Sequence, residues 1–345
     1  MRWLTRLVVA LTTLVGIVSL VPAHWMPGIG LLAMFLPLLL VPHLLLSMYW
    51  LRRSFRYFAV NALLLGLLLI PLLAQFPLHK HHGWGAQEDV RLVSFNLQGF
   101  YKQQNAATSI AQWLSSHDAD LLAAQEVRFS QDLPLRKAFK YRTEPRSRAR
   151  YGVAIYSNYP IIFQEHLVFS EPTDSRYNRT TALLADIATP TDTFRVINVH
   201  LMSTGLASDE FDVAPQKDSI VHRGVHLLKK LRTTDRVRSI QGHDLLKWVQ
   251  QSPYPVILSG DFNQVPAGAV YAKLLLRLSD PYLSNGSGAM GSFEPLVSRR
   301  VPIRIDWTLL DRSFEVYDQF IDGSIHLSDH RPLITIVQPP RALAR

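Results

Sequence analysis

The chain of 345 residues has no cysteine, which excludes a disulfide framework and any thiolate metal site and is compatible with either redox compartment. Acidic residues are missing from one region only: residues 1–76 contain no Asp or Glu. No internal repeat or low-complexity tract stands out, so no repeat architecture is expected. Strong basicity of the polar part is lacking as well. The formal net charge is +9, but residues 1–90 supply six Lys/Arg and two acids, leaving 30 bases against 25 acids. An excess of that size does not by itself argue for a polyanionic partner.

What fills the acid-free region is apolar. Three segments, about Leu7–Ala23, Met26–Trp50 and Tyr57–Phe76, are each near the ~20 residues needed to cross a ~30 Å hydrocarbon core. None contains Lys, Arg, Asp or Glu, each of which would cost roughly 2.5–3.5 kcal/mol at mid-membrane. Residues 1–77 therefore read as a membrane anchor of three transmembrane helices, with the lipid bilayer as partner. Buried helices of a soluble domain fit less well, because three such segments follow one another with short links. Pro37 and Pro42 predict a kinked second helix. His43 is an ionisable group inside that helix and so draws attention as functional, although a single His there also serves as a plain structural residue.

Arg2 and Arg6 precede the first segment, and Arg52, Arg53 and Arg56 lie between the second and third. The positive-inside rule puts both groups in the cytoplasm, which sends everything after residue 77 outside the cytoplasmic membrane. A cleaved signal peptide is the competing reading of the first segment, and it leaves the rest of the chain on the same side. Residues 78–89 read as a linker. Its Lys80, His81 and His82 fit a polar juxtamembrane loop better than a metal site.

From Val90 onward the text is strand-rich with interspersed helices. Val90–Asn96, Leu121–Ala124, Tyr151–Tyr156, Thr181–Ile187, Phe194–Val199, Ile303–Leu310 and Leu333–Val337 read as strands. Thr108–Leu114 and most of Asp218–Gln251 read as helices. The stretch VILSGDFNQVP, Val256–Pro266, is an apolar strand that breaks at Ser259-Gly260 and presents Asp261 and Asn263 at its carboxyl end. Rigid strand ends hold polar groups at fixed distances from a reacting atom. Asn96, Glu126 and His200 also fall at strand ends, Asp306 is expected inside a strand, and Asp329-His330 precedes the last strand. Each alone has an ordinary structural explanation: a polar strand terminator, a turn, an edge-facing acid.

Taken together, SFNLQG, LLAAQEV, INVHL, GDFN, RIDWTLL and SDHRPL, in that order, resemble the endonuclease/exonuclease/phosphatase superfamily. The resemblance covers Val90 to about Val337. It implies an α+β fold over residues 90–340, a four-layer α/β/β/α sandwich of two mostly antiparallel sheets, preceded by the transmembrane helices. It implies Glu126 as principal Mg²⁺ ligand, with Asn96 and Asp329 beside it, and Mn²⁺ as a substitute. Hard oxygen donors suit such a cation. Converging acids would otherwise repel by about 4 kcal/mol per close pair.

By the same resemblance Asp261 orients or deprotonates the attacking water, and Asn263 donates to the phosphate in the transition state. His200 and His330 hold non-bridging oxygens, and Asp306 pairs with His330. Whether the Asp or a His is the base stays open. The implied activity is hydrolysis of a phosphoester or phosphodiester, with a phospholipid headgroup as one substrate class. A surface-anchored nuclease acting on DNA or RNA and a non-catalytic membrane adaptor are the alternatives. A second acid orienting His200 is not identified; Glu171 and Asp174 are candidates. Arg142, Arg146, Arg148 and Arg150 could line a phosphate-rich groove or a solvated loop.

Overall fold

A computed structural model describes residues 1–28, 38–75, 89–146, 149–171, 181–204, 220–287, 291–294 and 303–340. Three helices open the chain: α1 (Arg2–Ser19), α2 (Leu40–Trp50) and α3 (Phe55–Gln75). Among the described residues α1 alone is long and apolar enough to cross a membrane. At 11 residues α2 is too short to span by itself, and residues 29–37 of the expected second segment, with Pro37, lie outside the described residues. Pro42 sits in the first turn of α2, where a missing N–H forfeits no helical bond. The expected linker likewise lies outside the described residues, apart from Asp89.

These helices bury polar groups and expose apolar ones. Thr5, Thr12, His43 and Asn61 are buried, whereas Leu7, Leu14, Ile17, Leu45, Met48 and Leu63 are exposed. Thr12 Oγ1 lies 2.8 Å from His43 Nε2, and His43 Nδ1 lies 2.9 Å from Asn61 Oδ1. Asn61 Nδ2 donates to the Tyr57 carbonyl, which fixes the amide. One tautomer therefore satisfies the ring: Nδ1–H donates to Asn61, and Nε2 accepts from Thr12. Trp50 Nε1 donates to Thr5 Oγ1 at 2.9 Å, tying α2 to α1 a second time.

The rest of the described chain runs β1 (Val90–Asn96), α4 (Ala106–Ser116), β2 (Leu121–Arg128), α5 (Leu133–Ala138), β3 (Tyr141–Arg142), β4 (Tyr151–Ser157), β5 (Ile161–Leu167), β6 (Thr181–Ala188) and β7 (Thr193–His200). It continues with α6 (Ile220–Gln250), β8 (Val256–Asp261), α7 (Gly268–Leu274), β9 (Leu278–Ser279), α8 (Pro281–Ser284), β10 (Gly286–Ser287), β11 (Asp306–Asp311), β12 (Glu315–Ile321) and β13 (Leu333–Gln338). One sheet has the order β10-β12-β13-β1-β2-β4-β3 and the other β5-β6-β7-β8-β11-β9. The pairs β1–β2, β7–β8 and β10–β12 are parallel and the other described pairs antiparallel.

Strand alternation sorts the apolar side chains into three cores. Leu92, Leu121, Ile155, Leu183, Phe194 and Ile257 meet between the sheets. Phe95, Ile110, Leu114, Leu122 and Ile334 pack the first sheet against α4. Leu245, Val249, Leu258, Leu274 and Trp307 pack the second sheet against α6 and α7. Successive strand residues face opposite sides, so β1 sends Leu92 inward and Phe95 outward. The result is the layered α+β sandwich.

Three elements differ from the sequence reading. The strand expected over Ile303–Leu310 begins only at Asp306, so Asp306 starts β11 and does not lie inside it. Just upstream, the Ile305 N–H donates to Ser292 Oγ, and the Arg304 guanidinium is clamped on Asp280, which keeps that backbone off the ladder. β5 was hidden by its IIFQEHL text, which as an edge strand carries exposed apolar residues. β12 was hidden because it buries Asp318 and Gln319, against the usual alternation.

Candidate active site

The carboxyl ends of β1, β2, β7 and β8 meet the amino end of β11 at one end of the sandwich. Registry does most of the placing: His200 pairs with Asp261 across β7–β8, and Asp261 with Asp306 across β8–β11. Asn96 ends β1 in pairing with Gln125. Gly260 makes the β7–β8 approach possible. It has φ +142°, and a Cβ there would fall 2.0 Å from the Val199 carbonyl oxygen, so only glycine fits.

Asp261 is the hub. Its Oδ2 accepts from Asn96 Nδ2 at 3.0 Å and lies 3.5 Å from His200 Nε2 and 3.7 Å from His330 Nε2. Its Oδ1 accepts from the Asn263 N–H at 2.8 Å. His330 Nδ1 faces Asp306 Oδ2 at 2.9 Å. Glu126 Oε1 lies 3.8 Å from His200 Nε2. Asp329 belongs to the same neighbourhood: its N–H donates to Gln98 Oε1, and Ser328 Oγ donates to the Asn96 carbonyl at 2.7 Å. All eight residues singled out from the sequence thus belong to one end of the molecule, within two linked clusters around Asp261 and around the Asn96–Ser328 contact.

Two of them sit on unusual backbone. Glu126 has φ 50° and Asn263 φ 51°, the left-handed region that costs a non-glycine residue free energy. In β2 the register shifts between Ala124 and Val127, a bulge opposite β4. It sends Gln125 between the sheets and brings Glu126 out at the site end.

Charge follows burial here. Burial pushes the His330 imidazole down, but Asp306 and Asp261, one on each ring nitrogen, outweigh it and raise it to about 10. Burial also raises the Asp306 carboxyl, an effect the His330 cation opposes. Asp306 Oδ1 is buried with no hydrogen-bond partner among the described residues. Asp261, Asp306 and His330 each bring a potential ligand atom within 4.8 Å of the others. Both His330 nitrogens already face carboxylates, and as a cation the ring has no lone pair to offer a metal. The oxygens of Glu126, Asn96 and Asp329 suit a hard cation better. Among the described residues Asn96 Oδ1 accepts the Gln98 N–H alone, which leaves a second lone pair.

The family model described as "Endonuclease/Exonuclease/phosphatase family" matches residues 93–330. The chain belongs to the endonuclease/exonuclease/phosphatase family. Among solved structures it is similar to an endonuclease/exonuclease/phosphatase from Bacteroides vulgatus, at 18% identity and TM-score 0.54 over 73% of this chain and 99% of that one. A Bacteroides thetaiotaomicron mannosyl-6-phosphatase gives 17% and 0.51 over 72% and 99%. D. rerio TDP2 complexed with single strand DNA product gives 15% and 0.54 over 73% and 100%. No curated protein matches the chain. At these identities the neighbours establish the fold of this endonuclease/exonuclease/phosphatase family member and nothing about its substrate.

Several supporting residues escaped the sequence reading. Gln125 Nε2 donates to Asn198 Oδ1 at 2.8 Å, and Asn198 Nδ2 donates to the Ala124 and Ala154 carbonyls. This clasp joins the two sheets just behind Glu126 and His200. The only sequence signal was an amide inside the apolar run VINVH. Ser292 Oγ accepts the Ile305 and Asp306 N–H groups, and the Phe293 ring packs 4.9 Å from His330. Nothing in the sequence around Ser292 marks it. Of the candidate orienting acids, Glu171 is paired with Arg236 at 2.8 Å, and Asp174 lies outside the described residues. Arg142 is held by Asp132 and Glu144 and so is committed to its own loop, while Arg146 and Arg150 are exposed and Arg148 lies outside the described residues.

Proposed function

We propose that this chain is a membrane-anchored, divalent-metal-dependent phosphoesterase whose catalytic domain faces outward from the cytoplasmic membrane. The observation that carries the reading is the convergence of Asn96, His200 and His330 on the Asp261 carboxylate, with Asp306 behind His330. Asp261 orients the attacking water and takes up its proton. His200 and His330 bind the non-bridging oxygens, and the His330 charge is maintained by Asp306. Asn263 donates to the phosphoryl group as negative charge grows. Glu126, Asn96 and Asp329 are the residues that would hold Mg²⁺ or Mn²⁺, which when bound neutralises the phosphate charge and polarises its oxygens.

The inside-out burial of α1, α2 and α3 supports the anchor, because only a lipid surround favours exposed leucine over buried threonine. The turn after α1 touches the catalytic domain, which fits the expected topology with that turn and the domain on one side. A linker of about a dozen residues keeps the site within a few tens of Å of the bilayer, which favours a lipid headgroup phosphoester. The second reading is a nuclease, favoured by the likeness to a neighbour bound to single strand DNA product.

The test is turnover of the purified chain with Mg²⁺ or Mn²⁺ on phospholipids, sugar phosphates and plasmid DNA. Glu126→Ala and Asp261→Ala are each expected to lower turnover by roughly a hundredfold or more with the fold intact. Near-normal activity in both would remove the assignment. Nuclease activity would fall steeply with salt through counterion release, whereas lipid cleavage would depend on vesicle or detergent presentation.

A further inference from the structure

The long helix α6 has two unlike halves. From Thr234 onward it contributes buried side chains, among them Val237, Leu245 and Val249, to the second sheet. From residue 225 to 233 none is buried. On this outer half Val225 is 63% and Leu228 52% exposed, and Lys229 and Arg232 are exposed as well. Spacings of three and four put Val225, Leu228, Lys229, Arg232 and Arg236 on one stripe of the helix. Two apolar residues therefore cap the outer end of a basic face.

That stripe meets the N-terminal region, which also lies against α8 through α3. Arg232 Nε donates to the Pro27 carbonyl at 3.1 Å, and the side chain fills the space where a Cβ on Gly28 would lie. One to two turns further on, His24 Nδ1 lies 3.0 Å from Ser239 Oγ. Pro27 follows α1 by eight residues, and an 18-residue helix rises about 27 Å, close to the hydrocarbon thickness. Arg232 thus meets the chain eight residues past the end of α1, and Leu228 and Val225 lie one and two turns along α6 from it. The catalytic end is equally near. Arg238 Nη1 donates to the Met202 carbonyl at 2.9 Å, and the Met202 N–H donates to Gln241 Oε1, two residues after His200.

We infer that the outer half of α6 is an interfacial surface seated in an anionic bilayer, turning the catalytic end toward the membrane. The substrate is then a phosphoester headgroup of the bilayer that holds the anchor. Val225 and Leu228 enter the acyl–headgroup boundary, while Lys229 and Arg232 meet lipid phosphates. This rests on the membrane-anchored phosphoesterase reading and adds the surface and the source of the substrate.

The test uses the full chain in vesicles of phosphatidylcholine with phosphatidylglycerol. Because the native chain has no cysteine, Leu228→Cys gives a single site for an environment-sensitive dye. Leu133→Cys is the control, 54% exposed on α5 in the helical layer over the first sheet, across the sandwich from α6. Lipid-borne quenchers are expected to quench the dye at 228 severalfold more than at 133. Equal quenching at the two positions, or a dye at 228 shielded by protein from lipid quencher, overturns the seat whatever the activity. The paired variant Leu228→Asp/Lys229→Glu is expected to lower turnover of bilayer headgroups roughly tenfold and to leave a soluble aryl phosphodiester unaffected. Selective quenching at 228 with cleavage of the soluble diester alone overturns the lipid substrate. Selective quenching with no hydrolysis of any phosphoester supports the seat and overturns the phosphoesterase reading.

Discussion

In the N-terminal helices Thr5, Thr12, His43 and Asn61 are buried beside Leu46, Trp50 and Leu68, while many leucines, with Ile17 and Met48, are exposed; in the sandwich the buried side chains are mostly apolar. Both regions nevertheless bury polar groups, and they do so differently. The helices bury neutral groups that satisfy one another across a seam, with no carboxylate among them. The sandwich buries charge, as in His330 between Asp306 and Asp261, or Arg304 against Asp280. The difference teaches what each surround tolerates. In a bundle facing lipid, as proposed for these helices, polar groups serve as adhesive between helices and are few. In a water-soluble fold ions can be buried where backbone and partners enclose them, as His330 and Arg304 are at and beside the candidate site.

The sharpest way to break the comparison is to remove a charge from the sandwich. Arg304 and Asp280 are both fully buried in a bidentate pair at 2.9 Å, which Tyr271 and Tyr282 surround. Arg304→Ala leaves Asp280 unpaired and is expected to cost about 3–5 kcal/mol. Urea unfolding measures it, and a loss under about 1 kcal/mol would mean that the pair behaves like a surface one.

Titration gives an intermediate effect. His330 is raised from its ordinary 6.5 to about 10, so the stability it contributes is complete below pH 6.5 and fades as pH rises toward 10. With chelator present, the stability gap between the native chain and His330→Gln is expected to narrow from pH 6 to pH 10. A gap constant over that range would show that the imidazole is not held as a cation.

The smallest effect belongs to the helices. His43→Leu removes the link between Thr12 and Asn61 and is expected to cost about 1 kcal/mol, the scale of interhelical bonds in membrane proteins. Thermal unfolding in detergent checks this, and turnover is expected to stay unchanged. A loss of several kcal/mol would indicate a water-facing bundle with polar groups left stranded.

Much of the site was legible because strands announce their ends. GDFN, INVHL and SFNLQG each stop an apolar run at a polar residue, and parallel or antiparallel registry then brings those ends together. What was hidden depends on partners distant in sequence. Ser292 serves Asp306 through its hydroxyl, and nothing near Ser292 marks that role. Asp306 was expected within a strand because IRIDWTLL alternates well, but Ser292 and the Arg304 clamp set the true start. The three-segment anchor is an expectation from hydropathy, and among the described residues α1 alone is long and apolar enough to cross a membrane. Hydropathy cannot show that Thr12, His43 and Asn61 face one another.

At its bulge β2 departs from the regular ladder. One strand holds three steps from Ala124 to Val127 where its partner takes two, from Ala154 to Gly152. Deleting a single residue there would let the ladder run straight, with every backbone bond made and the cores still filled. The strand would gain regularity, and the Glu126 carboxylate would lose its exit toward Asp261 and His200. In this molecule a neater sheet would strip the candidate site of one of its carboxylates.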